Sequence, residues 1–136
     1  MNLFKLHDDL LDHEDQDLVP NLALARYRNN LEELKKREKL WARDPETAYY
    51  YALEILKGRF ELSEKTIAKN AQYSYLYAGK ILNAPFPLGE LTIAKSPWYS
   101  YLYALYVLKA RFELGEPTII NSDWRQSYEE HIRKIG

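Results

Sequence analysis

His7, Asp8, Asp9, Asp12, His13, Glu14, Asp15 and Asp17 form the densest group of side chains able to ligate a metal or move a proton. On a helix Asp9 and His13 stand one turn apart and could chelate an ion together. The surrounding chain lacks the glycine of a calcium loop, an HExxH pair and a companion acidic cluster, so a hydrated acidic helix face is expected and no metal site is assigned. Neither GxxxxGK(S/T) nor GxGxxG occurs, and no cofactor is expected. Ser63, Ser74, Ser96, Ser100, Ser122 and Ser127 have no evident base beside them, and His131 stands near the C-terminus. Without cysteine there is no thiolate nucleophile, disulfide or cysteine-ligated zinc. No catalytic residue is assigned, and enzyme activity is not expected.

Two groups could bind rather than catalyse. Arg26, Arg28, Lys35, Lys36, Arg37 and Lys39 are the basic stretch a nucleic acid would need, with Arg43 nearby, but Glu32, Glu33 and Glu38 interrupt it. Nucleic-acid binders usually present a continuous stripe of one sign, and a solvated helix face is the plainer reading. Trp98, Tyr99, Leu102 and Tyr106 form an aromatic stripe on what periodicity makes one helix. Either the C-terminal segment folds over this stripe through Trp124, or the stripe is a surface for a protein partner or a second copy of the chain.

The elements carrying these groups follow from a repeat. A 26-residue pattern recurs at residues 42–67, 68–93 and 94–119, with ten columns identical in all three copies. They include Tyr49, Tyr75 and Tyr101; Tyr51, Tyr77 and Tyr103; Phe60, Phe86 and Phe112; and Glu64, Glu90 and Glu116. An incomplete fourth copy occupies 120–136, where Ser122 and Trp124 fall 26 residues after Ser96 and Trp98. In each copy Asp44, Asn70, Ser96 or Ser122 can cap a first helix, and Pro45 and Pro97 suit its first position. This helix A runs to Lys57, Asn83 and Lys109, burying Ala48, Tyr49, Tyr51, Ala52, Ile55 and Leu56 and leaving Glu46, Tyr50 and Glu54 outside. The i,i+4 small pairs Ala48 and Ala52, Ser74 and Ala78, and Ser100 and Ala104 invite close helix contact.

An extended elbow follows, where Pro85 and Pro87 forbid a continued helix. A short helix B is expected to start from Ser63, Gly89 or Gly115 as N-cap, with the repeated glutamate favouring the helix dipole. Leu62 and Ile67 would then form a hydrophobic staple, as would Leu88 and Ile93, and Leu114 and Ile119. The architecture expected is all-α: a short helical-repeat solenoid with a two-helix N-terminal cap over residues 1–41, folded as one unit. Residues 1–20 carry one lysine against six acids and residues 21–43 seven bases against three acids, so the two cap helices can attract each other.

The chain has 136 residues with net charge −1, which supplies no overall attraction to nucleic acid or an acidic membrane surface. No apolar run approaches a membrane span of roughly 18 residues, and the first residues turn acidic where a signal peptide would turn apolar. A cytoplasmic protein without membrane attachment is expected.

The recurring YxYAxxxLK, GRFEL and ExTIAKSP strings resemble a short tyrosine-rich tandem repeat of tailed bacteriophages and some bacteria, over residues 42–124. The proline before helix A is kept as Pro45 and Pro97 but is Ala71 in the second copy, and the glycine after it survives only as Gly58. The resemblance implies a small phage-type helical-repeat protein of the host cytoplasm that binds and inhibits or redirects a host or defence protein. A self-assembling structural phage component and a nucleic-acid accessory protein are the alternatives.

Overall fold

The computed structural model describes residues 31–136, and these are helical throughout with short connections and no strand among them. Most of the expected cap, the acidic cluster at positions 7 to 17, Arg26 and Arg28 lie outside the described residues. Helix α1 (Leu31–Trp41) leads into α2 (Pro45–Tyr51), whose end widens into a π-helical turn at Ala52–Leu56. The second copy repeats this as α4 (Ala71–Leu76) with Tyr77–Leu82, and the third as α6 (Pro97–Leu102) with Tyr103–Leu108. The short B helices are α3 (Glu64–Ile67), α5 (Pro87–Ile93) and α7 (Glu116–Ile120), and α8 (Arg125–Ile135) ends the chain. Helices α2, α4 and α6 contact one another in succession, and each packs on the B helix of its own copy.

Capping starts the A helices as expected. Asp44, Asn70 and Ser96 accept from the backbone N–H groups of Thr47, Tyr73 and Tyr99 at 2.8, 2.9 and 3.2 Å. At the other end Lys57, Asn83 and Lys109 take left-handed φ of 52°, 50° and 53°. The following residues, Gly58, Ala84 and Ala110, donate back to Ala52, Ala78 and Ala104 at 3.2 Å, closing orphan carbonyls. Asparagine tolerates that conformation; two lysines accept a cost of roughly 1 to 2 kcal/mol each to end the helix at a fixed residue.

Several sequence expectations are corrected. Helix B starts early only in the second copy, at Pro87 with Gly89 inside it; Ser63 and Gly115 hold the expected N-cap position of the other two without a side-chain cap bond, behind 3-10 turns at Glu61–Ser63 and Glu113–Gly115. The reason is that Phe60, Phe86 and Phe112 carbonyls accept from the N–H groups of Ser63, Gly89 and Gly115 at 3.0 Å, closing the first turn there. Leu62, Leu88 and Leu114 consequently sit within that first turn on its outer side, 60%, 54% and 51% exposed, and do not staple the buried Ile67, Ile93 and Ile119. Tyr50, expected outside, is buried because Tyr73 of the next A helix lies against it, ring centroids 6.4 Å apart. Leu56, expected in the core, is partly exposed. Ser122 caps the turn before α8 rather than the helix itself: its Oγ accepts from the Trp124 N–H at 3.1 Å and donates to the Ile119 carbonyl at 2.7 Å, and Trp124 occupies the N-cap position.

The small residues at 63, 89 and 115 also serve a contact between helices. A Cβ on Gly89 would stand 2.5 Å from Ser74 Oγ and one on Gly115 2.5 Å from Ser100 Oγ. Those hydroxyls are held in place by donating to the Ile67 and Ile93 carbonyls at 2.9 Å. In the first copy the pair is exchanged, with Ala48 on helix A and Ser63 on helix B, both fully buried. Each copy therefore keeps one seam where the A and B helices meet almost backbone to backbone.

Candidate functional site

A tyrosine hydroxyl links each copy to the one before it. Tyr77 Oη donates to Glu64 Oε2 at 2.6 Å and accepts from the Phe60 N–H at 2.9 Å, so one phenol satisfies the elbow backbone and the glutamate together. Tyr103 does the same for Glu90 and Phe86, at 2.6 and 2.8 Å. Tyr128 does so for Glu116 and Phe112, at 2.6 and 3.0 Å. Tyr51 reaches Glu38 at 2.7 Å, so the end of α1 stands where a B helix would, with Trp41 buried against the Tyr51 ring at 4.7 Å. Glu64 and Glu116 also pair with Arg59 and Arg111; Pro85 stands where the second copy would carry that arginine. The repeated glutamates thus hold the copies together.

Tyr51, Tyr77 and Tyr103 are fully buried, and burial followed by the bond to a carboxylate holds their phenols well above the ordinary tyrosine value. Tyr128 is pushed up to about 12 for the same reasons, and Tyr49 to about 12 by burial and then the neighbouring Tyr50. Unfolded tyrosines ionise near ~10. The fold therefore prefers the neutral phenols: their stabilisation is complete below pH ~10 and is lost as pH rises through about 12. An alkaline titration following tyrosinate absorbance and helical circular dichroism together should show these phenols ionising only as helix is lost. Ionisation of every tyrosine near pH ~10 with the helices intact would refute the coupling.

A second series is aromatic. Tyr49 meets Tyr73 at 5.6 Å, Tyr75 meets Tyr99 at 6.0 Å, and Tyr101 stacks on Trp124 at 5.9 Å and 7°. Trp124 accordingly matches the position of Tyr99 rather than Trp98, and Tyr128 that of Tyr103, which places the fourth copy one residue out of the alignment read from Ser122 and Trp124. Glu38 with Tyr51 and Glu116 with Tyr128 were both missed in the sequence. A search for Glu followed 12 or 13 residues later by Tyr would have found them.

Trp98, Tyr99, Leu102 and Tyr106 are spread over adjoining features of the surface. Trp98 leans on Trp124 with centroids 4.3 Å apart and remains 38% exposed. Tyr99 and Leu102 line a groove of about 340 Å³ with Tyr49, Tyr50, Gln72, Tyr75 and Leu76. Tyr106, 61% exposed, borders a neighbouring notch of about 310 Å³ that shares Tyr75 and Leu76 with the groove. The groove and the notch thus adjoin on the A helices, and both are mainly apolar. Of the basic stretch, Lys35, Lys36 and Lys39 are exposed and Arg37 half-buried on α1, whose Glu38 and Trp41 face the repeats.

No cluster of metal-ligating side chains occurs among the described residues, and no helix of the described residues is long and apolar enough to cross a membrane. No family model, curated protein or solved structure matches the chain.

Proposed function

We propose that this chain is a non-catalytic, protein-binding helical-repeat module, built as a short solenoid whose A-helix channel receives the partner. The observation that carries the reading is the pair of adjoining depressions that make up this channel: the groove at Tyr99 and Leu102 and the notch at the exposed Tyr106 share half-buried Tyr75 and Leu76. Exposed aromatics beside a concave apolar surface are what binding hot spots need, since such rings are desolvated only in the complex. The resemblance of the repeat strings supports the concrete version, a phage-encoded protein that binds and inhibits or redirects a host or defence protein in the cytoplasm. The rival readings are self-assembly through the same channel and nucleic-acid binding through Lys35, Lys36, Arg37 and Lys39.

Leu102→Lys with Tyr106→Glu tests it without touching the Trp98 and Trp124 pair. Lysine can lay its stem along the groove and keep its charge in water, so the melting temperature should change little. Proteins captured from a host lysate by the parent chain should be lost, as removal of a central aromatic anchor costs ~2 kcal/mol or more of binding. Retention of every captured protein by a stably folded variant would reject the channel. Concentration-dependent mass and salt-dependent retention on DNA or RNA separate the two rivals.

A further inference from the structure

The middle copy carries glycine where its neighbours carry leucine: Leu53, Gly79 and Leu105 are the same column of the repeat. Gly79 lies inside the second A helix and its φ is not positive, so the backbone does not require it. Packing does not require it either, because the nearest atom to an added Cβ is Val107 Cγ2 at 3.9 Å, an ordinary contact. Gly89 and Gly115 differ, as each faces a serine at 2.5 Å. A helix-interior glycine costs roughly 1 kcal/mol relative to alanine, and nothing in the fold offsets it here.

What Gly79 does is open the notch of about 310 Å³ whose walls are Tyr75, Leu76, Lys80 and Tyr106. That lies at the small end of ligand sites, roughly 300 to 1,000 Å³, and suits one side chain with adjoining backbone. The flanking copies fill the corresponding position with half-buried Leu53 and Leu105, so the group omitted is a branched aliphatic one. Lys80 is exposed at the rim, and no carboxylate of the described residues pairs with it.

We propose that the Gly79 notch is the anchor site for a partner segment that presents a leucine-sized aliphatic side chain beside a carboxylate, the side chain replacing the missing leucine and the carboxylate meeting Lys80. This rests on the protein-binding reading and specifies what that surface takes.

The probe is the capped dipeptide acetyl-Leu-Asp-amide, titrated into the ¹⁵N-labelled full chain. Saturable shifts of the Gly79 amide and its neighbours are expected at millimolar concentration, with binding weakened roughly threefold by Lys80→Glu or by acetyl-Leu-Asn-amide. Gly79→Leu should abolish the shifts while raising the melting temperature, and Gly79→Ala should raise it while retaining part of the binding. Shifts that do not saturate, persist in Gly79→Leu or ignore the charge changes overturn the proposal. So does a lower melting temperature for both Gly79 variants, since the glycine would then be structural. If Gly79→Leu still captures every lysate protein that the Leu102→Lys and Tyr106→Glu chain loses, the notch proposal falls and the channel reading stands. If neither variant loses a partner, both fall.

Discussion

A chain carrying Gly89→Ser should melt on the order of 10 °C below the parent, and adding Ser74→Ala should return more than half of that loss. The new Cβ would stand 2.5 Å from Ser74 Oγ, 2.8 Å from Ser74 Cβ and 2.9 Å from Phe86 Cδ2, and none of these can swing away. Ser74 is fully buried with its hydroxyl bonded to the Ile67 carbonyl, and Phe86 is core. Overpacking of this kind typically costs ~1 to 3 kcal/mol. Ser74→Ala removes the closest atom and installs the pair that the first copy already has, Ala48 with Ser63. The first copy holds the same pair of Cβ atoms, on Ala48 and Ser63, fully buried in its seam. Ser74→Ala alone should cost about 1 kcal/mol through its lost hydrogen bond, so the double variant must be more stable than the two losses added. Strict additivity in chemical denaturation would show that the two sites do not share a seam.

That seam illustrates what could be read in the sequence. The 26-residue recurrence, the capping residues and the small i,i+4 pairs specify all-α segments and their buried stripe directly, because caps and periodicity are local chemistry. The turns that open the B helices, and the early start at Pro87, were not legible because the decisive bonds are not local: the phenols of Tyr77, Tyr103 and Tyr128 fix the elbows from 16 or 17 residues away. Once the elbow carbonyl closes the turn, Leu62 and its counterparts face outward whatever their hydrophobicity. Read singly, the serine and glycine columns are N-caps, a position that Ser63 and Gly115 do hold, and the seam stays hidden. Only the reciprocal change across two columns, Ala with Ser in the first copy and Ser with Gly in the others, carries the contact. The aromatic stripe was legible as residue types but not as a surface, since Trp98 packs on Trp124 and Tyr99 on Tyr75, and Gly79 opens a notch no column of aromatics announces.

The tyrosine links should not be equal in strength. Tyr103→Phe is expected to cost about 3 kcal/mol and Tyr77→Phe about 2 kcal/mol, because each strands a buried N–H but only one strands its glutamate as well. In Tyr77→Phe the Phe60 N–H loses its acceptor, while Glu64 keeps both bonds from Arg59, at 3.0 and 2.8 Å. In Tyr103→Phe the Phe86 N–H is stranded likewise, and Glu90 loses a 2.6 Å bond with Pro85 in place of an arginine. Hydrogen bonds to a charged acceptor contribute more than neutral ones, so the missing cation decides the order. Pro85 is exposed, and Pro85→Arg should recover part of the loss in Tyr103→Phe while doing much less in the parent, where the phenol already satisfies the carboxylate. Urea denaturation of the two single variants and the Pro85→Arg pair measures this directly. Equal losses for Tyr77→Phe and Tyr103→Phe, or no recovery from the arginine, would mean that the glutamate is held by water and that the phenol acts on the elbow backbone alone.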